Sequence, residues 1–293
     1  MTGLRLGVIA FLDILGFKGI WTREQPRVVL EAMRRIKRRG RQLQGRDRSG
    51  SIVVADGFDH RVKCVSDTVI VVVAPRGRGC TERMMYRAMY SAAWIAGSIM
   101  NDALSGPVPL LFRGCLGVGL MKMAGDFLIG PAVDETASQF ERADGPFFWL
   151  TPSALALSNE YADTFTERIE PALMTRYQVP LNSKHSEGVD TLVHSYFGVR
   201  CPPEYWSELE AQIAAAFGPR PLCEAVDRKY SNTVSFLRHI KMVARDTEYR
   251  EPDLRMPYWD DLTSDQRLGV AYDGGVSVVK EFLRRTRTVK LFG

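Results

Sequence analysis

The sequence lacks the cysteine spacing that marks a disulfide framework or a zinc cluster. Its five cysteines are scattered over 293 residues, odd in number and without a CxxC pair, so neither kind of cross-link is indicated. Apart from the N-terminal run, the longest apolar stretch, around Ala88 to Met100, is too short and too polar to span a bilayer. The N-terminal apolar run contains Asp13 and precedes no small-residue cleavage site, unlike a secretory signal. We therefore expect a cytoplasmic protein in a reducing compartment, with no membrane partner.

Several common catalytic signatures are also missing. The four histidines show no metal-ligand spacing, and the serines lie outside any nucleophile elbow. Gly114, Gly117 and Gly119 lie within a strand pattern and open no helix, so close strand packing explains them better than a dinucleotide fingerprint. These absences argue against a zinc enzyme, a serine hydrolase and a dinucleotide-binding fold.

Positive charge is modest overall but concentrated in one region. The formal net charge is +5. One predicted helix and the loop after it contain Arg34, Arg35, Lys37, Arg38, Arg39, Arg41, Arg46 and Arg48. Such a run is typical of a solvated helix face, and a polyanionic ligand is the alternative. Because no aromatic residues alternate with these cations, we expect no stable nucleic-acid partner.

Hydrophobic periodicity predicts the order strand, helix, strand, strand, helix, strand for the first part of the chain. The predicted elements are a strand at 4–13, a helix at about 25–44, strands at 51–54 and 62–73 around a turn region at Gly57, a helix at 81–103 capped by Thr81, and a strand at 110–123. This order is typical of an α+β fold with a ferredoxin-like βαββαβ core, an antiparallel sheet with helices on one face.

The second half of the chain is predicted to add small elements to that core and then a helical region. The pattern indicates a short strand or turn at 126–131, helices at 133–143 and 152–157, a hairpin from 176–180 and 191–198, and helices at 204–217 and 222–243. Because Pro202 and Pro203 mark a boundary, we expect a catalytic domain at 1–200 and a helical C-terminal region at 201–293.

Two lone carboxylates in apolar strand patterns are the most informative residues. Asp13 interrupts the first strand and Asp67 opens an apolar run, and an unpaired charge is costly to bury there. If the two strands are neighbours, the carboxylates form a hard-oxygen site suited to Mg²⁺ or Mn²⁺. The alternative is that Asp13 caps a turn and Asp67 begins a hairpin.

Three segments in order carry a family resemblance. Phe11–Phe17 (FLDILGF) and Val65–Ile70 (VSDTVI) are similar to the metal-binding signatures of class III nucleotidyl cyclases, and Gly130–Glu141 resembles the family's motif around its transition-state asparagine and arginine. The resemblance covers about residues 4–200. The FLDILGF wording, the RGCLGVG strand at Arg113–Gly119 and the helical tail most resemble the pyrimidine (uridylate or cytidylate) cyclases of the bacterial antiphage Pycsar system.

The resemblance implies a set of site residues. Asp13 and Asp67 would bind two Mn²⁺ or Mg²⁺ ions through their side chains, and Ile14 would bind through its backbone carbonyl. The nucleotide would be bound by residues that the family motifs align as Leu15, Gly16, Phe17, Lys63, Glu135, Gln139 and Lys184. For the two lysines, a solvated surface position is the alternative.

One departure from the family pattern concerns the transition state. Glu135 and Gln139 stand where purine cyclases have asparagine and arginine four residues apart. The helical spacing is kept, but Gln139 brings no positive charge to the reacting phosphate. Stabilisation would then come from the metals, from backbone amides and from other cations such as Arg113 or Arg142.

The resemblance also implies an activity and partners. We expect conversion of UTP, with CTP as second choice, to the 3′,5′-cyclic monophosphate and pyrophosphate, as a second messenger in antiviral defence. The partners would be the nucleoside triphosphate, a second copy of the chain in a head-to-tail homodimer that the C-terminal helices buttress, and a downstream effector that responds to the cyclic nucleotide. The alternatives are a degenerate nucleotide-binding sensor and a purine nucleotide cyclase.

Overall fold

A central sheet with helices on both faces forms the protein. The computed structural model describes residues 3–44, 57–76, 80–125, 127–165, 174–182, 188–195, 205–219 and 223–246. The strands in these ranges are β1 (Arg5–Ile14), β2 (Phe58–Val65), β3 (Thr68–Pro75), β4 (Phe112–Ala124), β5 (Phe127–Ile129), β6 (Phe148–Leu150), β7 (Met174–Val179) and β8 (Val189–His194). The helices there are α1 (Pro26–Gln44), α2 (Glu82–Leu104), α3 (Pro131–Gln139), α4 (Pro152–Phe165), α5 (Tyr205–Phe217) and α6 (Glu224–Asp246), with a 3₁₀ helix at Phe17–Thr22.

The first strand lies at the centre of the sheet. The strand order is β2-β3-β1-β4-β6-β8-β7, with β5 paired to the end of β4. β1 is antiparallel to both β3 and β4. The element order β1-α1-β2-β3-α2-β4 and these pairings confirm the predicted α+β fold with a βαββαβ core.

Alternation along β1 separates two faces of the sheet. Val8, Ala10 and Leu12 are buried in the main core together with α1 and α2, whereas Ile9 belongs to a smaller cluster with Ala132 of α3 on the opposite face. Successive side chains of a strand point to opposite faces. Asp13, two pleats beyond Ile9, therefore lies on the α3 face of the sheet and not in the main core.

The hairpin that follows α1 turns at a different place from the predicted one. We expected strands on either side of Gly57, but β2 and β3 are joined at Ser66 and Asp67, with Ser66 at φ 55°. The β-branched residues of 62–73 read as one strand because only two residues, Ser and Asp, interrupt them, although both residue types favour tight turns. The predicted strand at 51–54 lies outside the described residues.

The second half of the chain extends the sheet beyond β4. β6 is parallel to β4, and the predicted final hairpin is present as the antiparallel pair β7 and β8. β6 was missed because three buried residues are too few to show a period of two. The helices predicted at 204–217 and 222–243 are confirmed as α5 and α6.

Helices α1 and α2 cover the main core face. Thr81 caps α2 as predicted, its hydroxyl accepting from the backbone N–H of Met84 at 3.2 Å. Arg35 of α1 donates two hydrogen bonds to Asp102 of α2, at 2.9 and 3.0 Å. The outward-facing cations of α1 are exposed to solvent, as expected of a solvated helix face. Across the described ranges, every helix is too short or too polar to cross a bilayer.

Candidate functional site

The two acidic residues singled out from the sequence lie together at one end of the central strands. In the sheet register Asp13 lies between Thr68 of β3 and Arg113 of β4. The backbone N–H of Ile14 donates to the carbonyl oxygen of Asp67 at 3.1 Å. Asp67 therefore occupies the hairpin turn directly beside the end of β1, and the structure brings both carboxylates to the same edge.

Arg113 is the counter-ion of Asp13. Its Nε and Nη2 atoms both donate to Oδ2 of Asp13 at 3.1 Å, and its Nη1 donates to the backbone carbonyl of Glu141 at 3.2 Å. The Asp13 and Arg113 side chains are only 13% and 20% exposed. A charge-assisted contact at this depth is stronger than one in water. Arg113 is thus shared between the acidic residue and the segment after α3.

Burial and neighbouring charges act on Asp13 in opposite directions. Burial raises the pKa of Asp13 above its usual value, and the Arg113 guanidinium partly opposes that rise. The carboxylates of Asp67 and Glu141 raise the same pKa further, because like charges disfavour ionisation. A cation placed between Asp13 and Asp67 would relieve this repulsion.

The residues present fit a hard divalent cation. Two carboxylates and the carbonyl of Ile14 are oxygen donors of the type that Mg²⁺ and Mn²⁺ prefer. Within the described ranges, no group of three His, Cys, Asp or Glu side chains is arranged to hold an ion by itself. The remaining ligands would therefore be water and substrate oxygens, which is usual for Mg²⁺ in phosphate chemistry.

The turn after Asp13 presents backbone to solvent. Gly16 adopts the left-handed conformation, φ 75° and ψ 17°, and a Cβ built on it meets no atom within 4 Å. The N–H of Leu15 donates to the carbonyl of Leu111 at 2.8 Å, which fixes the turn against the sheet. The 3₁₀ helix starts at Phe17, and the first N–H groups of a helix have no partner within it. Open backbone of this kind suits an anion.

Glu135 and Gln139 on α3 have partners other than the two acidic residues. Oε1 of Glu135 accepts from the backbone N–H of Ser153, at the N-terminus of α4, at 3.0 Å. Oε1 of Gln139 accepts from Nη1 of Arg142 at 2.7 Å. The expected helical spacing is present, but in this structure the two side chains bind protein groups. The Arg142 guanidinium thus contacts Gln139, the last residue of α3, and not Asp13.

The two candidate lysines differ in what the structure describes. Nζ of Lys63, on β2, donates to the carbonyl of Gly125 in the turn between β4 and β5 at 2.5 Å. This contact joins the β2–β3 hairpin to the far end of β4. Lys184 lies outside the described residues.

Sequence reasoning missed Glu141 as a partner of the site. Its carbonyl accepts from Arg113, and its Oε1 lies 3.9 Å from Nη2 of Arg113. The pairing of Arg113 with Asp13 depends on the register of β1 against β4, which strand patterns alone do not determine. The sequence indicated Arg113 as a candidate cation for the transition state, but not its contact with Asp13.

No protein-family model and no curated protein matches the chain. Among solved structures, it is similar to a dimeric guanylyl cyclase domain of the RhoGC fusion protein from the aquatic fungus Blastocladiella emersonii (11% identity, TM-score 0.42, 67% of this chain and 98% of that one). It is also similar to a bacterial light-regulated adenylyl cyclase (14% identity, TM-score 0.39, 72% and 99%). A third similar structure is a class III adenylyl cyclase-like ATP-binding protein from Pseudomonas aeruginosa (17% identity, TM-score 0.36, 55% and 37%). All three TM-scores are below 0.5, so these similarities carry no argument about function.

Proposed function

We propose that the protein is a nucleotidyl cyclase that converts UTP, and CTP as second choice, into the 3′,5′-cyclic monophosphate and pyrophosphate. The observation that carries the proposal is the juxtaposition of Asp13 and Asp67 beside the open Leu15–Phe17 turn. Nucleotide chemistry needs carboxylates that hold cations and backbone N–H groups that hold phosphates, and this juxtaposition offers both.

The acidic pair and Ile14 would hold two Mn²⁺ or Mg²⁺ ions. Such ions lower the pKa of a coordinated hydroxyl and neutralise phosphate charge when they are bound. The residues of the chain supply the geometry: Asp13 from a rigid central strand and Asp67 from the adjacent hairpin turn. Arg113 contacts the carboxylate of Asp13, so it would lie close to a phosphate bound by cations at Asp13.

The reaction needs no protein nucleophile. The ribose 3′ oxygen bonds to the α-phosphorus while the bond from that phosphorus to the bridging oxygen of pyrophosphate breaks, and the hydroxyl proton leaves to solvent. The Leu15 N–H holds the turn against Leu111, and the backbone N–H groups of Gly16 and Phe17 orient the triphosphate. This orientation makes the attack intramolecular and well aligned. Because Gln139 lacks a charge and binds Arg142, we assign transition-state stabilisation to Arg113.

The remaining candidates are assigned to nucleotide binding. Lys63, on the same hairpin as Asp67, would approach the base edge, and Lys184 would approach a phosphate. Glu135 and Gln139 would contact the nucleotide from α3 after exchanging their present partners for it. The choice of UTP over CTP comes from the family resemblance and not from a contact in the structure.

A head-to-tail homodimer is part of the proposal. Val65, Phe127 and Ile129 are exposed apolar residues, 60%, 77% and 57% accessible. The Lys63–Gly125 contact joins the elements that carry them. Exposed apolar groups that gather at one place favour association. We infer that this region contacts a second copy, and that the cyclic product activates a separate effector in antiviral defence.

A direct assay tests the proposed activity. Purified protein is incubated with Mn²⁺ and each of the four NTPs, and products are separated chromatographically. We expect a cyclic monophosphate and equimolar pyrophosphate from UTP, less from CTP, and none with Asp67→Ala. The matched control is Asp59→Ala, an exposed aspartate at the other end of the same hairpin, which should remain active. Absence of a cyclic product from all four nucleotides would refute the proposal.

A second candidate function is a nucleotide-binding sensor without turnover. It is favoured by the hydrogen bond of Glu135 to α4, since a residue used as a helix cap is not free to act on phosphate. The same preparation distinguishes the two functions. In a calorimeter with Mn²⁺, a sensor would bind UTP, and in the assay it would release no pyrophosphate. Asp67→Ala would then weaken UTP binding, while neither protein forms a cyclic product.

A further inference from the structure

The C-terminal helix α6 holds the segment that positions Arg113. We call residues 141–147 the linking segment, because it runs from the end of α3 to the start of β6. Glu141, at its beginning, accepts from the Arg113 guanidinium, and Phe147, at its end, accepts from the backbone N–H of Gly114 at 2.8 Å. The linking segment therefore contacts the side chain of Arg113 and the backbone of Gly114, the next residue of β4.

The middle of the linking segment is fixed to α6 by polar contacts. Nε of Arg228 donates to Oδ2 of Asp144 at 2.5 Å, and Nδ2 of Asn232 donates to the Asp144 carbonyl at 2.7 Å. The Asp144 side chain is only 2% exposed, and its Oδ1 atom has no hydrogen-bond partner among the described residues. A buried carboxylate with so few donors depends strongly on each donor it has.

Aromatic packing joins the end of the linking segment to the same helix. The Phe147 ring lies 5.3 Å from that of Phe236 on α6 and 5.9 Å from that of Tyr177 on β7. Phe147 and Phe236 are fully buried. The middle and the end of the linking segment are thus held by elements outside the βαββαβ core.

The loop after β7 contacts the linking segment from the other side. The N–H of Asp144 donates to the Pro180 carbonyl and the N–H of Asn182 donates to the Arg142 carbonyl, both at 2.8 Å. Nδ2 of Asn182 donates to the Glu141 carbonyl at 3.2 Å, the same oxygen that binds Arg113. These contacts keep the Glu141 carbonyl directed at the guanidinium.

From this geometry we propose that Arg228 and Asn232 are positioning residues for the reaction: α6 sets the place of Arg113, and through it the carboxylate of Asp13, by holding the linking segment. The inference rests on the proposed function, since it assigns the C-terminal helix a role in the same site. When cations bind Asp13, Arg113 must give up part of its contact with that carboxylate. The Glu141 carbonyl then keeps the guanidinium at the site.

The first test compares Arg228→Gln with the wild type in steady-state kinetics well below the unfolding temperature. We expect kcat to fall about tenfold with KM changed less than about twofold, because misplacing a catalytic group by a fraction of an ångström affects the transition state more than binding. Arg228→Lys, which keeps a donor for Asp144, should recover most of that loss. Arg238→Gln is the matched control, an exposed arginine of the same helix.

The second test needs no activity. Hydrogen exchange is measured without nucleotide or metal on a peptide that spans 112–117. We expect exchange about tenfold faster in Arg228→Gln, because the Gly114 N–H loses a firmly held acceptor, and unchanged exchange in Arg238→Gln. Asn232→Ala keeps the Arg228–Asp144 ion pair and serves as the second variant if Arg228→Gln does not fold.

Each result decides the inference. Faster exchange at 112–117 together with a lower kcat supports it. A lower melting temperature with unchanged exchange and unchanged kcat overturns it, since α6 would then be structural only, and faster exchange with unchanged kcat also overturns the positioning role. If the wild type makes no cyclic product, the proposed cyclase function fails, and the exchange result alone decides whether α6 holds the site.

Discussion

At the scale of single residues, the central strands combine tightly packed glycines with buried polar groups. Gly114 follows Arg113 on β4, and a Cβ built on it would lie 2.0 Å from the carbonyl oxygen of Phe11 on β1. The absence of a side chain there brings β1 and β4 close enough for Arg113 to reach Asp13. The packing of the strand and the electrostatics of the site therefore depend on the same residue.

We expect Gly114→Ala to destabilise the protein by about 3 kcal/mol or more, at the upper end of overpacking costs, because the new methyl group meets backbone that cannot rotate away. Urea unfolding followed by circular dichroism measures the change. Gly19→Ala is the control, since a Cβ there meets no atom within 4 Å. Equal midpoints for the two variants would show that β1 and β4 separate at little cost.

His194 on β8 is a buried imidazole. Both ring nitrogens lack a hydrogen-bond partner among the described residues, and the ring packs against Gly97 of α2. Burial lowers the pKa of His194 to about 4, below the value of about 6.5 in an unfolded chain. Protons therefore bind the unfolded state more tightly, and stability is lost as the pH falls from about 6.5 towards 4.

Replacing this imidazole removes that acid sensitivity. We expect the stability of His194→Leu relative to the wild type to be about 2 kcal/mol greater at pH 5 than at pH 7.5. At pH 5 the imidazole of the unfolded wild type is protonated and must lose that proton on folding, whereas at pH 7.5 it is already neutral. Urea titrations at the two pH values measure the difference. Val193→Ala, its buried neighbour without a titratable group, should shift stability equally at both. A pH-independent effect of His194→Leu would contradict the expectation.

At the scale of elements, α3 and α4 are joined by one carboxylate. Glu135 fills the N-terminus of α4, where the first N–H groups lack intrahelical partners and a negative charge is favoured by the helix dipole. Thr136, the next residue, lies over Gly117 of β4 and donates to the Ala132 carbonyl. This arrangement places α3 firmly on the site face of the sheet.

Removing the cap should weaken that arrangement. We expect Glu135→Ala to cost about 1 kcal/mol, the usual value for a lost helix cap, with Glu135→Gln costing less because its amide oxygen can still accept from Ser153. Chemical denaturation of both variants provides the comparison. Glu141→Ala changes an exposed carboxylate beyond the end of the same helix and leaves α4 untouched. If Glu135→Ala is as stable as the wild type, the contact with α4 contributes nothing.

Most elements could be predicted because their patterns are long. The periodicity of α1 and α2 and the apolar run of β1 extend over ten or more residues, and a pattern of that length is hard to mistake. The β2–β3 turn and β6 involve only two and three residues, too few for a period to show. The contacts of α6 with Asp144 could not be predicted from the sequence, because they join positions more than 80 residues apart.

At the scale of the whole molecule, the site is assembled at an edge of the sheet that remains open. The sequence indicated that Asp13 and Asp67 would meet because their strands were expected to be neighbours, and the pairing of β1 with β3 confirms that the strands are. The use of Glu135 as a cap and the reach of Arg113 to Asp13 depend on register and on helix placement, which a single sequence does not encode visibly. A site open on one side leaves room for groups from a second copy.

Mixing two defective subunits tests whether sites are shared in a homodimer. If Asp67 of one subunit works with Lys63 of its partner, Asp67→Ala and Lys63→Glu are each inactive alone. An equal mixture, exchanged after mild dissociation, regains about a quarter of wild-type turnover, because half of the dimers are mixed and each of these has one intact site of two. The control mixture of Asp13→Ala with Asp67→Ala stays inactive, because both residues bind the same two metal ions and every site therefore carries one defect. No activity in the first mixture, while a pull-down with two different tags shows mixed dimers, would place a complete site within one subunit. Activity in the control would mean that the Asp13 and Asp67 of one site come from different subunits.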